Sequence, residues 1–190
     1  MRLVNAGQQF VTSNPDGTGG GVDNGVVEYS VIEYVTTSRD YYTNGVDVHT
    51  GDNWIIRHNL FRNIRAPMGE LAGPAILMWN GSTNTIVDGN TFIDCQRDIA
   101  MGLIERTPND HTGGIVRNNF IYRGAGVAGD TAIYIADSPG TQVLLDKIAA
   151  PPAAAGLDWD GHPRPAGGTD IGADEAGTPV STPRNLRVLR

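Results

Sequence analysis

Three ten-residue stretches set apolar and polar residues in nearly the same order: IIRHNLFRNI (55–64), IVDGNTFIDC (86–95) and IVRNNFIYRG (115–124). Each is centred on an Asn, with an apolar residue three positions before it, another two after it and often a third five after it. The sets are Ile56–Asn59–Phe61–Ile64, Val87–Asn90–Phe92–Cys95 and Val116–Asn119–Ile121–Gly124. Weaker copies on the same ruler are Val27–Ser30–Ile32–Val35 before and Val143–Asp146–Ile148–Pro151 after. Successive centres lie 29, 31, 29 and 27 residues apart. Self-similarity at this period, built from short β-type runs, marks a solenoid. No helix-period segment separates the strands, which argues against a leucine-rich repeat or a doubly wound sheet. The pattern predicts an all-β chain wound as a parallel β-helix of about five coils, each about 4.8 Å above the last.

In such a stack, equivalent residues of successive coils lie one above another. The ruler's apolar residues should point inward. The Asn should sit at a bend, take left-handed geometry, and bond to backbone and to the Asn of the next coil, with Ser30 and Asp146 as stand-ins at the ends. This is a structural role, not a catalytic one. Two positions before each centre stand Glu28, Arg57, Asp88 and Arg117. Facing outward, they would alternate in sign, with roughly 0.2–1 kcal/mol per neighbouring pair. The residue before each inward one is also apolar (Val26, Ile55, Ile86, Ile115), so either that stripe faces out under cover or the facing shifts by one.

A second strand precedes each copy: GVDVHTGD (45–52), PAILMWNG (74–81), IAMGLIER (99–106) and TAIYIADS (131–138). Alternation sends Val46 and Val48, Ile76 and Met78, and Ile133 and Ile135 inward. Asp47, His49, Leu77, Trp79 and Tyr134 then share an outward face, with Glu105 near it. Gly/Pro-rich 67–74 and the long TPNDHTGG (107–114) flank these strands. Insertions gathered on one side of a solenoid point to its working side.

The net charge of −7 and pI near 4.9 argue against a nucleic-acid partner. Lys147 is the sole lysine and Cys95 the sole cysteine, so an internal disulfide is excluded. No apolar run approaches a transmembrane length, and no membrane insertion is expected. The opening MRLVNAGQQF lacks the positive-then-apolar order of an export signal, so the chain is either cytosolic or an internal piece of a longer exported one.

Residues 1–150 are expected to form the β-helix, 151–175 a closing segment, and 176–190 a linker. An end cap fits 151–175, because a last coil exposes unpaired strand edges. Asp158-x-Asp160-Gly161 opens like a calcium loop but lacks the remaining ligands and the closing Glu, so it reads as a turn. The run PRNLRV (183–188) resembles the first strand of a fibronectin type III domain.

With its Asn-centred coils over roughly 20–150 and the tail DWDGHPRPAGGTDIGADE (158–175), the chain resembles bacterial extracellular right-handed parallel β-helix repeat proteins of the pectate-lyase-like group. The tail is similar to the closing motif D-x-D-G-x-P-R-P…D-I-G-A-x-E of exported proteins of this kind. The resemblance implies right-handed winding and a secreted or cell-surface bacterial setting. The group holds polysaccharide lyases, polygalacturonase-type hydrolases, adhesins and proteins of other roles.

Three readings follow. A module that binds polysaccharide or a cell-surface glycan would use Trp79 and Tyr134 for stacking, with Asp47, His49, Asp110 and His111 bonding hydroxyls; it needs no cofactor. A lyase needs a base and a cation that neutralises the sugar carboxylate, commonly Ca²⁺, and a hydrolase needs two carboxylates about 5–9.5 Å apart. Arg106, Glu105, Asp47 and His49 are the catalytic candidates. His49, Asp52 and His111 match no standard metal spacing. The third reading is a spacer module without chemistry.

Overall fold

The computed structural model describes residues 1–15, 20–36, 42–67, 71–103, 109–135, 137–144 and 146–149, with 147–149 described by backbone alone. The strands run in chain order as β1 (Arg2–Val4), β2 (Gln9–Ser13), β3 (Val26–Glu28), β4 (Val31–Glu33), β5 (Asn44–His49) and β6 (Ile55–Arg57). They continue as β7 (Leu60–Arg62), β8 (Ile76–Trp79), β9 (Ser82–Thr83), β10 (Ile86–Asp88), β11 (Thr91–Ile93) and β12 (Arg97–Met101). The last are β13 (His111–Thr112), β14 (Ile115–Arg117), β15 (Phe120–Tyr122), β16 (Thr131–Ile135), β17 (Gln142–Leu144) and β18 (Lys147–Ala149).

All pairs are parallel, and every third or fourth strand stacks on its counterpart one coil away. A first sheet has order β1-β4-β7-β11-β15-β18, a second β3-β6-β10-β14-β17, a third β2-β5-β8-β12-β16, with a two-stranded strip β9-β13 at one corner. The chain is a parallel β-solenoid. Five stacked copies of the ruler span four steps, so it makes about four turns where about five coils were expected. Among the described residues there is no helix, and none long and apolar enough to cross a membrane. The expected closing segment (151–175) and linker (176–190) lie outside the described residues.

Facing follows the ruler. Ile56, Val87 and Val116 are fully buried in one inward column. Ile32, Phe61, Phe92 and Ile121 form the next, in direct register. The Phe61 and Phe92 rings stack nearly parallel, 5.0 Å apart. Val46, Ile76, Ile99 and Ile133, then Val48, Met78, Met101 and Ile135, close the core from the third sheet. Each such side chain contributes roughly 1.5–3 kcal/mol by leaving water. The neighbouring stripe faces out: Val26 is 53 % exposed, and Ile55, Ile86 and Ile115 are half-buried. One ruler position departs, for Val35 is exposed and Tyr34 is buried instead, its hydroxyl donating to the Ala6 carbonyl.

The corner between the second and first sheets is two residues long in each full copy (29–30, 58–59, 89–90, 118–119). The expected left-handed geometry is there, one residue before the predicted place: Tyr29, His58, Gly89 and Asn118 take φ of 48°, 54°, 64° and 56°. This reversal turns the following Asn inward along the axis. Asn59 Nδ2 donates to Asn90 Oδ1 and Asn90 Nδ2 to Asn119 Oδ1, both at 3.0 Å, and Asn119 Nδ2 donates to Asp146 Oδ1 at 2.8 Å. The same oxygens accept the backbone N–H of Asn59, Asn90 and Asn119, while Asn59 Oδ1 accepts that of Ser30. Each amide also donates to a carbonyl of the coil before: Val27, Ile56 and Val87. Asn59, Asn90 and Asn119 are at most 3 % exposed, so the column satisfies backbone groups that water cannot reach.

The outward charges stand in register and alternate in sign as expected. Arg57 donates to Glu28 and Arg117 to Asp88, and the Asp88 charge also acts on Arg57 across the gap between the two pairs. The first sheet adds a clamp the sequence reading missed: Glu33, fully buried, accepts from Arg2 and Arg62, whose hydrogen bonds hold its carboxyl below the usual range. Arg2 is on β1, which like β2 extends the solenoid toward the N-terminus beyond the first copy of the ruler.

Candidate functional site

Connections from the first to the third sheet vary in length: 34–43, 63–75, 94–96 and 123–130. They deliver the chain to the outward face of β5, β8, β12 and β16. One outward column there runs Thr12, Asp47, Leu77, Ala100, Tyr134 in register, with His49 beside Trp79 next to it. The predicted facing is right, but much of the face is covered. Asp47 is 1 % exposed, Leu77 3 % and Trp79 4 %, and Leu77, Trp79 and Ala100 form a second apolar cluster with Leu103 and Tyr134 packed on it.

Trp79 is therefore no free stacking platform. Its indole Nε1–H donates to Asp47 Oδ1 at 2.8 Å, and its ring meets the edge of His49 at 4.2 Å between centroids. Asp47 Oδ2 accepts from Gln9, and His49 Nε2 lies 3.6 Å from Oδ1. Burial raises the Asp47 carboxyl above its ordinary value despite the donors from Trp79 and Gln9 and the nearby His49. Asp47, His49 and Trp79, expected to meet a glycan, are thus tied to one another.

Asp110 and His111 were expected on a substrate-facing loop. His111 belongs instead to the corner strip, paired with Ser82 as Thr112 is with Thr83, and Asp110 directly precedes that strip. His111 is fully buried: Nδ1 meets Ser138 Oγ at 2.6 Å and Nε2 meets Thr85 Oγ1 at 3.1 Å. Burial drops its pKa to about 4, so the ring is neutral at pH 7. Asp110 is 3 % exposed and accepts the backbone N–H groups of Asn80 and Leu103. It positions the strand end that carries Leu103. A shared metal with His49 and Asp52 does not fit this geometry, since both His111 nitrogens are engaged and Asp52 accepts from Thr83. Glu105 and Arg106 lie outside the described residues.

The open part of the face is a cleft of about 290 Å³ over its C-terminal half. Ala100, Leu103 and Tyr134 supply an apolar floor, Pro74 and Thr131 flank it, and the Arg97–Asp130 pair forms a polar wall. Arg97 binds Asp130 through a fork, Nε to Oδ1 at 2.8 Å and Nη2 to Oδ2 at 2.7 Å. That pairing lowers the Asp130 pKa and raises that of Arg97. The sequence reading began this strand at Ile99 and so missed Arg97; carrying the alignment back to Thr131, its register partner, would have found it. Behind the wall, Asp98 is 1 % exposed and accepts from Arg123 at 3.0 Å, but its Oδ1 has no partner among the described residues. Burial outweighs the guanidinium and pushes its pKa to about 8.

Fold and site together define a parallel β-solenoid with a cleft on one sheet face. No protein-family model, curated protein or solved structure matches the chain.

Proposed function

We propose that the protein is an exported bacterial β-helix module, wound right-handed as in the pectate-lyase-like group, that binds polysaccharide in this cleft. The observation that carries the reading is the pairing of a partly exposed floor, Tyr134 and Leu103 packed over buried Ala100, with a bidentate ion pair along one side. Sugars present an apolar C–H face and a rim of hydroxyls, which such a surface matches. The closing motif in 158–175 supports export. Among the described residues, the single carboxylate lining the cleft is Asp130, already bound to Arg97, which favours binding over a two-carboxylate hydrolysis.

Affinity electrophoresis through gels containing soluble polysaccharides tests this directly. Tyr134→Ala should lose retardation by the retained polymer while its melting temperature stays near that of the parent. Trp79→Ala should instead unfold at markedly lower temperature, since it empties a buried site and strands Asp47. Unchanged retardation in a folded Tyr134→Ala protein, or absence of retardation by any polymer, would remove the proposal.

A further inference from the structure

We infer that the cleft selects uncharged sugars and excludes uronic-acid polymers, because Arg97, the one cation among the described residues that line it, is already neutralised; this rests on the polysaccharide reading above. Acidic polysaccharides are held by cations free to meet a carboxylate, best through the two-pronged guanidinium geometry. In this cleft that geometry is taken. Arg97 presents its Nε and Nη2 edge to both oxygens of Asp130, and the other described lining residues, Pro74, Ile99, Ala100, Leu103, Thr131 and Tyr134, carry no charge.

The pair is held in place from behind. Asp130 directly precedes β16, whose first residue, Thr131, is in register with Arg97 of β12. Arg123 Nη2 donates to the Thr131 carbonyl, fixing the backbone beside Asp130. A sugar carboxylate would therefore have to displace Asp130 from a formed fork, while entering a chain whose net charge is −7. An uncharged sugar meets no such obstacle. Beyond the fork, Nη1 of Arg97 is a donor suited to a sugar hydroxyl, while the Asp130 carboxylate is further held by the Thr131 side chain and its own backbone. The floor of Ala100, Leu103 and Tyr134 offers only apolar surface to the ring face.

The test uses Asp130→Asn, which keeps side-chain size but releases the guanidinium. Affinity electrophoresis of the full chain is run through gels holding either a soluble neutral glucan or galactan panel, or polygalacturonate, at low and high salt. The parent should be retarded by a neutral polymer, independently of salt, and run freely in polygalacturonate. Asp130→Asn should gain polygalacturonate binding by about tenfold or more, the scale of a charge-assisted contact, and lose that gain at high salt. Melting curves for both proteins establish that they are folded. Parent retardation by polygalacturonate equal to or above that by every neutral polymer would overturn the selectivity while leaving polysaccharide binding intact. No gain in a folded Asp130→Asn protein would overturn it as well. Absence of retardation of the parent by any polymer would sink the binding proposal itself and this inference with it.

Discussion

Replacing Asn90 with Leu removes the middle rung of the buried amide column with little change in side-chain volume, so the loss is almost purely one of hydrogen bonding. Four bonds go. Asn90 Oδ1 no longer accepts the Asn59 backbone N–H and side-chain amide, both at 3.0 Å, and Nδ2 no longer reaches Ile56 O at 2.9 Å or Asn119 Oδ1 at 3.0 Å. Two donors on Asn59 are left inside a corner where that residue is 3 % exposed. At about 1–3 kcal/mol for each stranded group, the cost is roughly 2–6 kcal/mol. Burial of the Leu side chain offsets about 1–2 kcal/mol of this. At the middle of both ranges the net destabilisation is about 2–3 kcal/mol. Urea denaturation followed by far-UV circular dichroism would show it as a midpoint lower by about 1–1.5 M for a urea slope near 2 kcal/mol/M. Ser30→Ala at the end of the column is the internal control. The Ser30 backbone N–H keeps its bond to Asn59 and only the hydroxyl's bond to the Glu28 carbonyl is lost, so the cost should stay under about 1 kcal/mol. An Asn90→Leu midpoint within about 0.3 M of the parent would mean that water reaches this corner, and the role assigned to the column would be wrong.

Two pH responses of opposite sign should also be measurable. His111 titrates near 6.5 unfolded but about 4 folded, so the unfolded chain takes up a proton first, and stability is lost as pH falls from about 6.5 through about 4. The loss should approach 3 kcal/mol, and unfolding free energies at pH 7.5 and 4.5 should differ less in His111→Asn than in the parent by about that amount. Asp98 is the reverse case: folded near 8 against 3.8 unfolded, it holds its proton in the folded state, so stability is lost as pH rises from about 4 to about 8. Asp98→Asn should gain on the parent at pH 8.5 and converge with it at pH 4. Parallel pH profiles would show that the buried carboxyl finds solvent or ionises in place.

The winding and its inward columns could be read from the chain because they repeat. Ile56, Val87 and Val116 recur at one offset from an Asn, and burial follows from that offset alone. Alternation also placed Val46, Ile76 and Ile133 inside and Asp47, Trp79 and Tyr134 outside. It could not show that Asp47 and Trp79 lie under cover, since a two-residue period reports which side of a sheet a residue takes and nothing about what is laid over that side. His111 was misread for a related cause: Ser82–Thr83 and His111–Thr112 pair for only two residues, too short to leave a periodic trace. The left-handed residue was placed one position late because Asn is the usual occupant of that geometry. Here Tyr29 and His58 accept it, and the Asn is kept for bonding. Arg97 and Asp130 stand where loops become strands, where pattern fades at both ends.

The unequal corners of the coil carry an evolutionary consequence. The tight corner that holds the amide column never exceeds two residues, so an insertion there would break the vertical alignment of every rung above it. The opposite corner already accommodates links as different as 63–75, 94–96 and 123–130; Pro74 and Asp130 reach the cleft from such links, and Arg97 opens the strand that follows another. Descent can therefore rewrite ligand preference by lengthening or trimming one side of the barrel-like stack while the other side, which keeps the molecule standing, is left as inherited.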